Sequence, residues 1–331
     1  METARYLLSR FAQSLFALFC IITLTFFLAR LAPGGPFLDE KKIPEHLVEQ
    51  MKRNYGFDKP LPVQYAMYLG RLVKGDLGPS LGNKGFSVNE IIADSFPVSA
   101  ALGFCGLVLA LALGIPVGVF AAAKRNTIVD YTLMSLVTLG ICVPTFVVAP
   151  LLGEIFALKL GWFDVALWEN SSAWILGSVT LGLYYSTYIA RLTRGSMIEV
   201  LSQDFIRTAK AKGVPPLAIL FKHAFRGGIT PVVAFLGPAI AGLIGGSFVV
   251  ETVFGLPGLG QHLIKAASNR DYWLINGTVS VIAVLILTMN FLVDVLQAWL
   301  DPRTRRQILE SRIYPEFFNR IQECLPTQST G

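Results

Sequence analysis

The chain has 331 residues, 53% hydrophobic and only 15% charged, with a formal net charge of +6 and a mean hydropathy of +0.56. An ordinary soluble domain carries roughly 25% charged residues, so this chain lacks the polar side chains to clothe a soluble surface. Its four cysteines do not suggest a disulfide framework, because Cys20, Cys105 and Cys142 fall inside apolar runs and Cys324 sits near the C-terminus.

A hydrocarbon core about 30 Å thick asks for roughly 20 apolar residues per helix. Six runs approach or exceed that length, at about 8–29, 99–123, 132–158, 173–190, 230–250 and 276–299. None alternates in the manner of a membrane β-strand, so the expected fold class is an all-α polytopic membrane protein with six transmembrane helices. The first run follows Arg5 and Arg10, as a signal peptide would, but its apolar stretch 11–29 exceeds the ~7–15 residues of a signal h-region. No convincing small-x-small cleavage site follows, and a retained span is expected.

Residues 1–30 form the N-terminus and first span, 31–97 an extracytoplasmic segment, 98–306 the core with the other five spans, and 307–331 a tail. The 31–97 segment is rich in proline and glycine, including Pro33, Pro36, Pro60, Pro62, Pro79, Gly34, Gly75 and Gly78, which predicts short helices and turns. Its eight basic residues do not oppose an outer location, since loops beyond ~60 residues translocate largely regardless of charge. Short basic loops do set orientation. Arg5 and Arg10, Lys124 and Arg125, the 191–228 loop, and Arg303, Arg305 and Arg306 in the tail put both termini and that loop in the cytoplasm.

The 191–228 loop holds Arg191, Arg194, Arg207, Lys210, Lys212, Lys222 and Arg226 against Glu199 and Asp204. Two amphipathic pieces are expected, parted at Gly213-Val214-Pro215-Pro216. In the first, Ile198, Leu201, Phe205 and Ala209 follow helical spacing as a continuation of the fourth span. In the second, Leu217, Leu220, Phe221 and Ala224 stand at i, i+3, i+4 and i+7, with prolines where a first turn tolerates a missing N–H. Such a stripe suits either a bed of anionic headgroups or the groove of a partner protein, and spacing alone leaves the two tied. Gly242 and Gly246 of the fifth span have a small-xxx-small spacing, expected to pack against another subunit or to hinge a pore. The 251–275 loop is expected to turn at Gly255-Leu256-Pro257-Gly258 and then form a short helix over 261–268.

The stretch EVLSQDFIRTAKAKGVPPLAILFKHAFRGGITPVV resembles the cytoplasmic loop of ABC importer permeases of the peptide branch. RLAPGGPF, FPVSAALG, ARLTRGSMIEVL and GSFVVETVFGLPGLGQ carry the same resemblance over about residues 5–306, most like the B-type permease of an oligopeptide importer. It implies the type I importer permease fold, with an amphipathic coupling helix seated in an ATPase cleft. Arg207, Thr208, Ala209 and Gly213, with Leu217, Leu220, Phe221 and Ala224, would form that coupling element. Of the general Glu-Ala-Ala-x-x-x-Gly consensus only Ala209 and Gly213 match, and Pro231 follows Thr230 where the family has leucine.

The resemblance also implies the partners: a second related permease, two ABC ATPases and an extracytoplasmic peptide-binding protein facing 31–97 and 251–273, in a bacterial plasma membrane. No Gly-Lys dipeptide occurs, as a phosphate-binding loop would require. The expectation is a non-catalytic subunit without a cofactor of its own, ATP and Mg being used by the partners. Dipeptides or nickel complexes remain alternative substrates. A stand-alone ion-coupled transporter would need ionisable residues inside spans, and the candidates are Glu154 and Asp294, with Asn290 beside the latter. Glu154 is read either as lining the path, where it attracts a peptide N-terminus, or as a carboxylate bonded near the interface. Asp294 is expected to pair with an arginine or backbone of the partner subunit.

Overall fold

The computed structural model describes residues 2–31, 49–50, 53, 55–83, 85–164 and 172–300. The tail 307–331, the Arg303, Arg305 and Arg306 cluster, and residues 32–48 of the 31–97 segment lie outside them. Among the described residues the chain is helical, with one isolated β-bridge between Pro79 and Ser87.

Helix α1 (Glu2–Leu31) and α2 (Leu61–Val73) are followed by α3 (Val88–Ala123), α4 (Ile128–Cys142) and α5 (Thr145–Leu152), which runs into a π-helical turn Gly153–Lys159. Then come α6 (Ala173–Leu201), α7 (Asp204–Ala211), α8 (Pro216–Ala218), a second π-helical turn Ile219–Ala224, α9 (Phe225–Gly228), α10 (Thr230–Val253), α11 (Leu259–Ser268) and α12 (Tyr272–Leu300).

Three helices are long and apolar enough to cross a membrane, over Leu7–Leu31, Val88–Ala123 and Tyr272–Leu296. Two bent pairs, one at the α4–α5 junction and one where α8 and α9 meet α10, bring the number to as many as five where each pair counts as one span. The predicted third span is therefore not one straight helix: it bends by 99° at Val143-Pro144. Proline removes the ladder N–H and pushes the residue before it to extended backbone, and Val143 has φ −88° and ψ 116°. The predicted fourth span is a 29-residue helix that is too polar to count among the five.

Other boundaries moved for local reasons. Helix α3 starts eleven residues before the predicted 99, at a capping box in which Ser87 Oγ accepts from the Glu90 N–H and Glu90 accepts from the Ser87 N–H. Its first turns are too polar to register as a span. Helix α6 does not continue into the 204–211 piece, because the chain breaks at Ser202-Gln203 before α7 begins.

The centre is the packing of α3 on α6, made close by Gly114: a Cβ there would lie 2.7 Å from the Ser186 carbonyl oxygen. Helix α10 leans on both, and α12 packs against α1 and α10. One core joins Phe26 of α1, Tyr68 of α2, Val88 and Ile92 of α3, Leu259 of α11 and Trp273 of α12. Arg30 ties α2 to α1, its guanidinium 3.6 Å from the Phe26 ring centroid and its Nε donating to Gln64 Oε1 at 3.1 Å. A second core, beneath the 204–228 loop, joins Val119 and Ala122 of α3, Met197 and Val200 of α6, Ile206 and Ala209 of α7, and Ile219, Leu220 and Ala224.

Candidate functional site

The core beneath the 204–228 loop decides which of its residues are exposed. Helix α7 ends at Gly213, whose φ of +76° is a left-handed position that glycine adopts without penalty. Nothing lies within 4 Å of the place its Cβ would take, so the turn, not close approach, calls for glycine here. The chain then restarts at Pro215-Pro216 and stays helical to Gly228, as the prolines predicted.

The expected four-residue stripe is split. Leu217 is 70% and Phe221 56% exposed, whereas Leu220 and Ala224 are 8% and 0% exposed, packed on the chain's own α3 and α6. The cause is the π-helical turn over Ile219–Ala224: bonding i→i+5 puts more residues in each turn, so Leu220 and Ala224 lag behind Leu217 and rotate inward. The break at Ser202 rephases α7 likewise, turning Ile206 and Ala209 inward and leaving Phe205 47% exposed. Ala209, Leu220 and Ala224, expected to meet a partner, are instead buried as the floor beneath the exposed residues. Arg207 and Thr208 stay exposed; Arg207 pairs with Asp204 at 3.3 Å and Thr208 Oγ1 donates to the Asp204 carbonyl at 3.1 Å.

The floor is fastened to α4 by an ion pair between Asp130 and Arg194. Arg194 donates from Nε and Nη2 to both oxygens of Asp130, at 2.6 and 2.8 Å, and Asp130 is 1% exposed. The same carboxylate accepts from the Asn126 N–H at 3.0 Å, capping the α3–α4 turn, where Asn126 has φ +61°. A two-pronged guanidinium–carboxylate bond fixes geometry as well as charge.

Away from the 204–228 loop, two buried carboxylates each tie a loop to the helices. Glu251, 0% exposed, accepts from Ser99 Oγ at 2.7 Å and from the N–H groups of Gly260 and Gln261 at 2.8 and 3.2 Å, so it caps the N-terminus of α11. Ser99 Oγ accepts in turn from the Leu259 N–H at 2.9 Å. Asp271, also 0% exposed, accepts from Ser80 Oγ and the N–H groups of Leu81 and Gly82 at 2.6, 2.8 and 2.9 Å, and from the Leu274 N–H at 3.1 Å. It thus binds the 79–82 loop to the start of α12. The short helix predicted over 261–268 is α11; on it burial, then Lys265, pushes the His262 imidazole below its ordinary range.

The residues suggested for pathway or packing separate. Glu154 lies in the first π-helical turn, half exposed, 3.4 Å from Lys159. Asp294 pairs within this chain, its carboxylate 3.4 Å from Arg10 of α1. Gly242 faces the chain's own α6, where a Cβ would fall on the Tyr185 hydroxyl, so its small size serves an internal contact. The surroundings of Gly246 lie outside the described residues. Among the described residues no cluster of three or more metal-ligating side chains occurs.

Residues 114–306 match the family model "Binding-protein-dependent transport system inner membrane component", and residues 3–103 match its N-terminal companion. The chain belongs to this family. Oligopeptide transport system permease protein OppB of Escherichia coli (strain K12) is 45% identical over 303 residues, covering 91% of this chain and 99% of that protein. The dipeptide transport system permease protein DppB of Bacillus subtilis (strain 168) is 41% identical over 302 residues, covering 91% and 98%. Among solved structures the MetNI methionine ABC transporter in an inward-facing conformation superposes with a TM-score of 0.56 at 18% identity, over 64% of this chain and 96% of that one, which establishes the fold. The chain is accordingly a multi-pass inner-membrane permease with the ABC importer permease fold.

Proposed function

We propose that this chain is one of two permease subunits forming the path by which an ATP-driven importer carries peptides, oligopeptides foremost, into a bacterial cell. The observation that carries the reading is 45% identity to an oligopeptide permease over 99% of that protein. Dipeptides are the second reading, on 41% identity to a dipeptide permease over nearly the same span. In this account α6 is a sixth span: 29 residues at 1.5 Å each reach about 43 Å, enough for a bilayer, and α3 and α10 cover much of its polar surface. Six spans put both termini and the 202–228 loop on the cytoplasmic side, in keeping with the basic loops.

Two ATPases supply ATP and Mg chemistry and grip the loop through Phe205, Leu217 and Phe221, whose exposure beside Arg207, Lys210 and Lys222 supports a groove-docking role. Closure of the ATPases then moves α3 and α6 together, since the loop's floor belongs to both. The outer ends, held by Glu251 and Asp271, face the peptide-binding protein. Affinity purification of the tagged chain from its native membrane tests the assembly: two ATPases and a second permease should co-purify in fixed ratio, and isolation of the chain alone refutes it.

A further inference from the structure

Among the described residues, three of the cavities between the helices stand out. Two have almost wholly apolar walls, one around Phe96, Leu107, Leu243 and Met289, the other around Phe11, Leu15, Leu18 and Phe291. The third differs in chemistry. It occupies about 390 Å³ at the α4–α5 elbow, between Ile141, Pro144 and Thr145 on one side and Leu181, Tyr184 and Tyr185 of α6 on the other. That volume lies within the ~300–1,000 Å³ usual for ligand pockets.

The elbow itself constrains what can fill the space. A helix that stops and restarts leaves its last carbonyls and first N–H groups without intrahelical partners, and irregular backbone at membrane depth is tolerated only where it is buried in protein or lines a wet cavity. Helix α6, facing it, is the long helix whose composition is too polar to stand among the candidate spans. Several of its hydroxyls are satisfied by their own helix: Thr180, Ser186 and Thr187 donate to the carbonyls of Leu176, Leu183 and Tyr184 at 2.8, 2.7 and 2.6 Å. Tyrosine is too long for that bond. The Tyr184 and Tyr188 hydroxyls meet each other at 3.2 Å, which uses one of two protons and leaves lone pairs and the second proton for another molecule.

These phenols are held rigidly. Tyr184 stands edge-on to Tyr185 and Tyr188, with centroids 5.4 and 5.3 Å apart, and Tyr188 stacks on Phe235 of α10 at 6.2 Å. Helix α4 presses on α6 next to the elbow, where a Cβ on Gly140 would lie 2.5 Å from Thr187 Cγ2. The cavity is therefore a fixed surface of neutral groups able both to donate and to accept.

We infer that this cavity is a station for the main chain of the transported peptide, bound by the Tyr184 and Thr145 hydroxyls and the backbone of the elbow, with the Tyr185 ring as a wall. The inference rests on the peptide-permease reading above and names where and how the substrate is held. A peptide presents an N–H and a C=O at nearly every residue whatever its side chains, and hydroxyls pair with either. Neutral partners hold it without the strong grip that a carboxylate or ammonium would exert on a charged terminus, which suits a site that must release what it binds.

The test uses the complete complex in proteoliposomes with its peptide-loaded binding protein. Tyr184→Phe combined with Thr145→Val should lower the rate of labelled-peptide uptake about tenfold, the effect of losing two neutral hydrogen bonds, while ATP hydrolysis stimulated by the binding protein stays at the wild-type rate. In an otherwise wild-type complex, a benzophenone photocrosslinker at position 184 should capture the labelled peptide during turnover, and one at the exposed Leu183 should not. Uptake by the double variant at the wild-type rate overturns the inference, as do adducts from position 184 formed only with the second permease or with lipid. A wild-type complex that hydrolyses ATP but imports no peptide overturns the peptide-permease reading instead.

Discussion

Replacing Glu251 with alanine removes the one acceptor shared by Ser99 Oγ and the Gly260 and Gln261 N–H groups. A buried donor left without a partner costs about 1–3 kcal/mol. Ser99 can turn its proton elsewhere and Gln261 is only part-buried, so the three losses together amount to about 3 kcal/mol. At about 1.4 kcal/mol per factor of ten, local opening at the start of α11 should rise about a hundredfold. Glu251→Gln is the control: its carbonyl can cover the two N–H groups and its amide can donate to Ser99 Oγ, which has lone pairs for both it and Leu259. Only charge assistance is lost, about 1 kcal/mol or roughly fivefold. Hydrogen exchange at residues 259–261 in nanodiscs reads the opening directly. Equal protection in the alanine and glutamine variants, or no loss in either, would refute the capping role of this carboxylate.

Gly213→Leu forces a left-handed conformation that costs about 1–2 kcal/mol with no clash to relieve, so peptide uptake should fall while Gly213→Asn, which tolerates φ > 0, retains it. Leu217→Asp with Phe221→Asp should abolish ATPase co-purification at an unchanged level of chain in the membrane; Leu220→Asp should instead lower that level, because it buries a charge in the loop's floor. Arg194→Ala strands Asp130, and breaking a buried pair costs about 3–5 kcal/mol, seen as a lower midpoint of thermal unfolding in detergent and reduced by the further change Asp130→Asn.

Apolar run length located most of the helices, because the bilayer's thickness is written into each run, and Gly213 with its two prolines marked the loop's break. Local signals that an average over 20 residues dilutes were harder to read. Pro144 bends the third span, yet it sits inside an apolar run that hydropathy treats as continuous. Ser87 and Glu90 start α3 in a stretch too polar to register. The i, i+3, i+4, i+7 rule assumes an α-helix throughout, and the π-helical turn at Ile219–Ala224 breaks that assumption, burying Leu220 and Ala224 while exposing Phe221. Glu251, Asp271 and the Asp130–Arg194 pair were visible only as charges, since their partners at Ser99, at 80–82 and across 64 residues come together only on folding. The resemblance in the 199–233 stretch named the family before the fold was known, but it could not say which side chains of that stretch face outward.

The most direct test of the central claim is uptake of labelled peptides of graded length into vesicles holding the chain with its second permease, ATPases and binding protein. The account predicts ATP-dependent accumulation, strongest for oligopeptides, that stops when ATP is withheld or the binding protein is left out. Accumulation driven by an ion gradient without ATP, or none with any peptide, would contradict it.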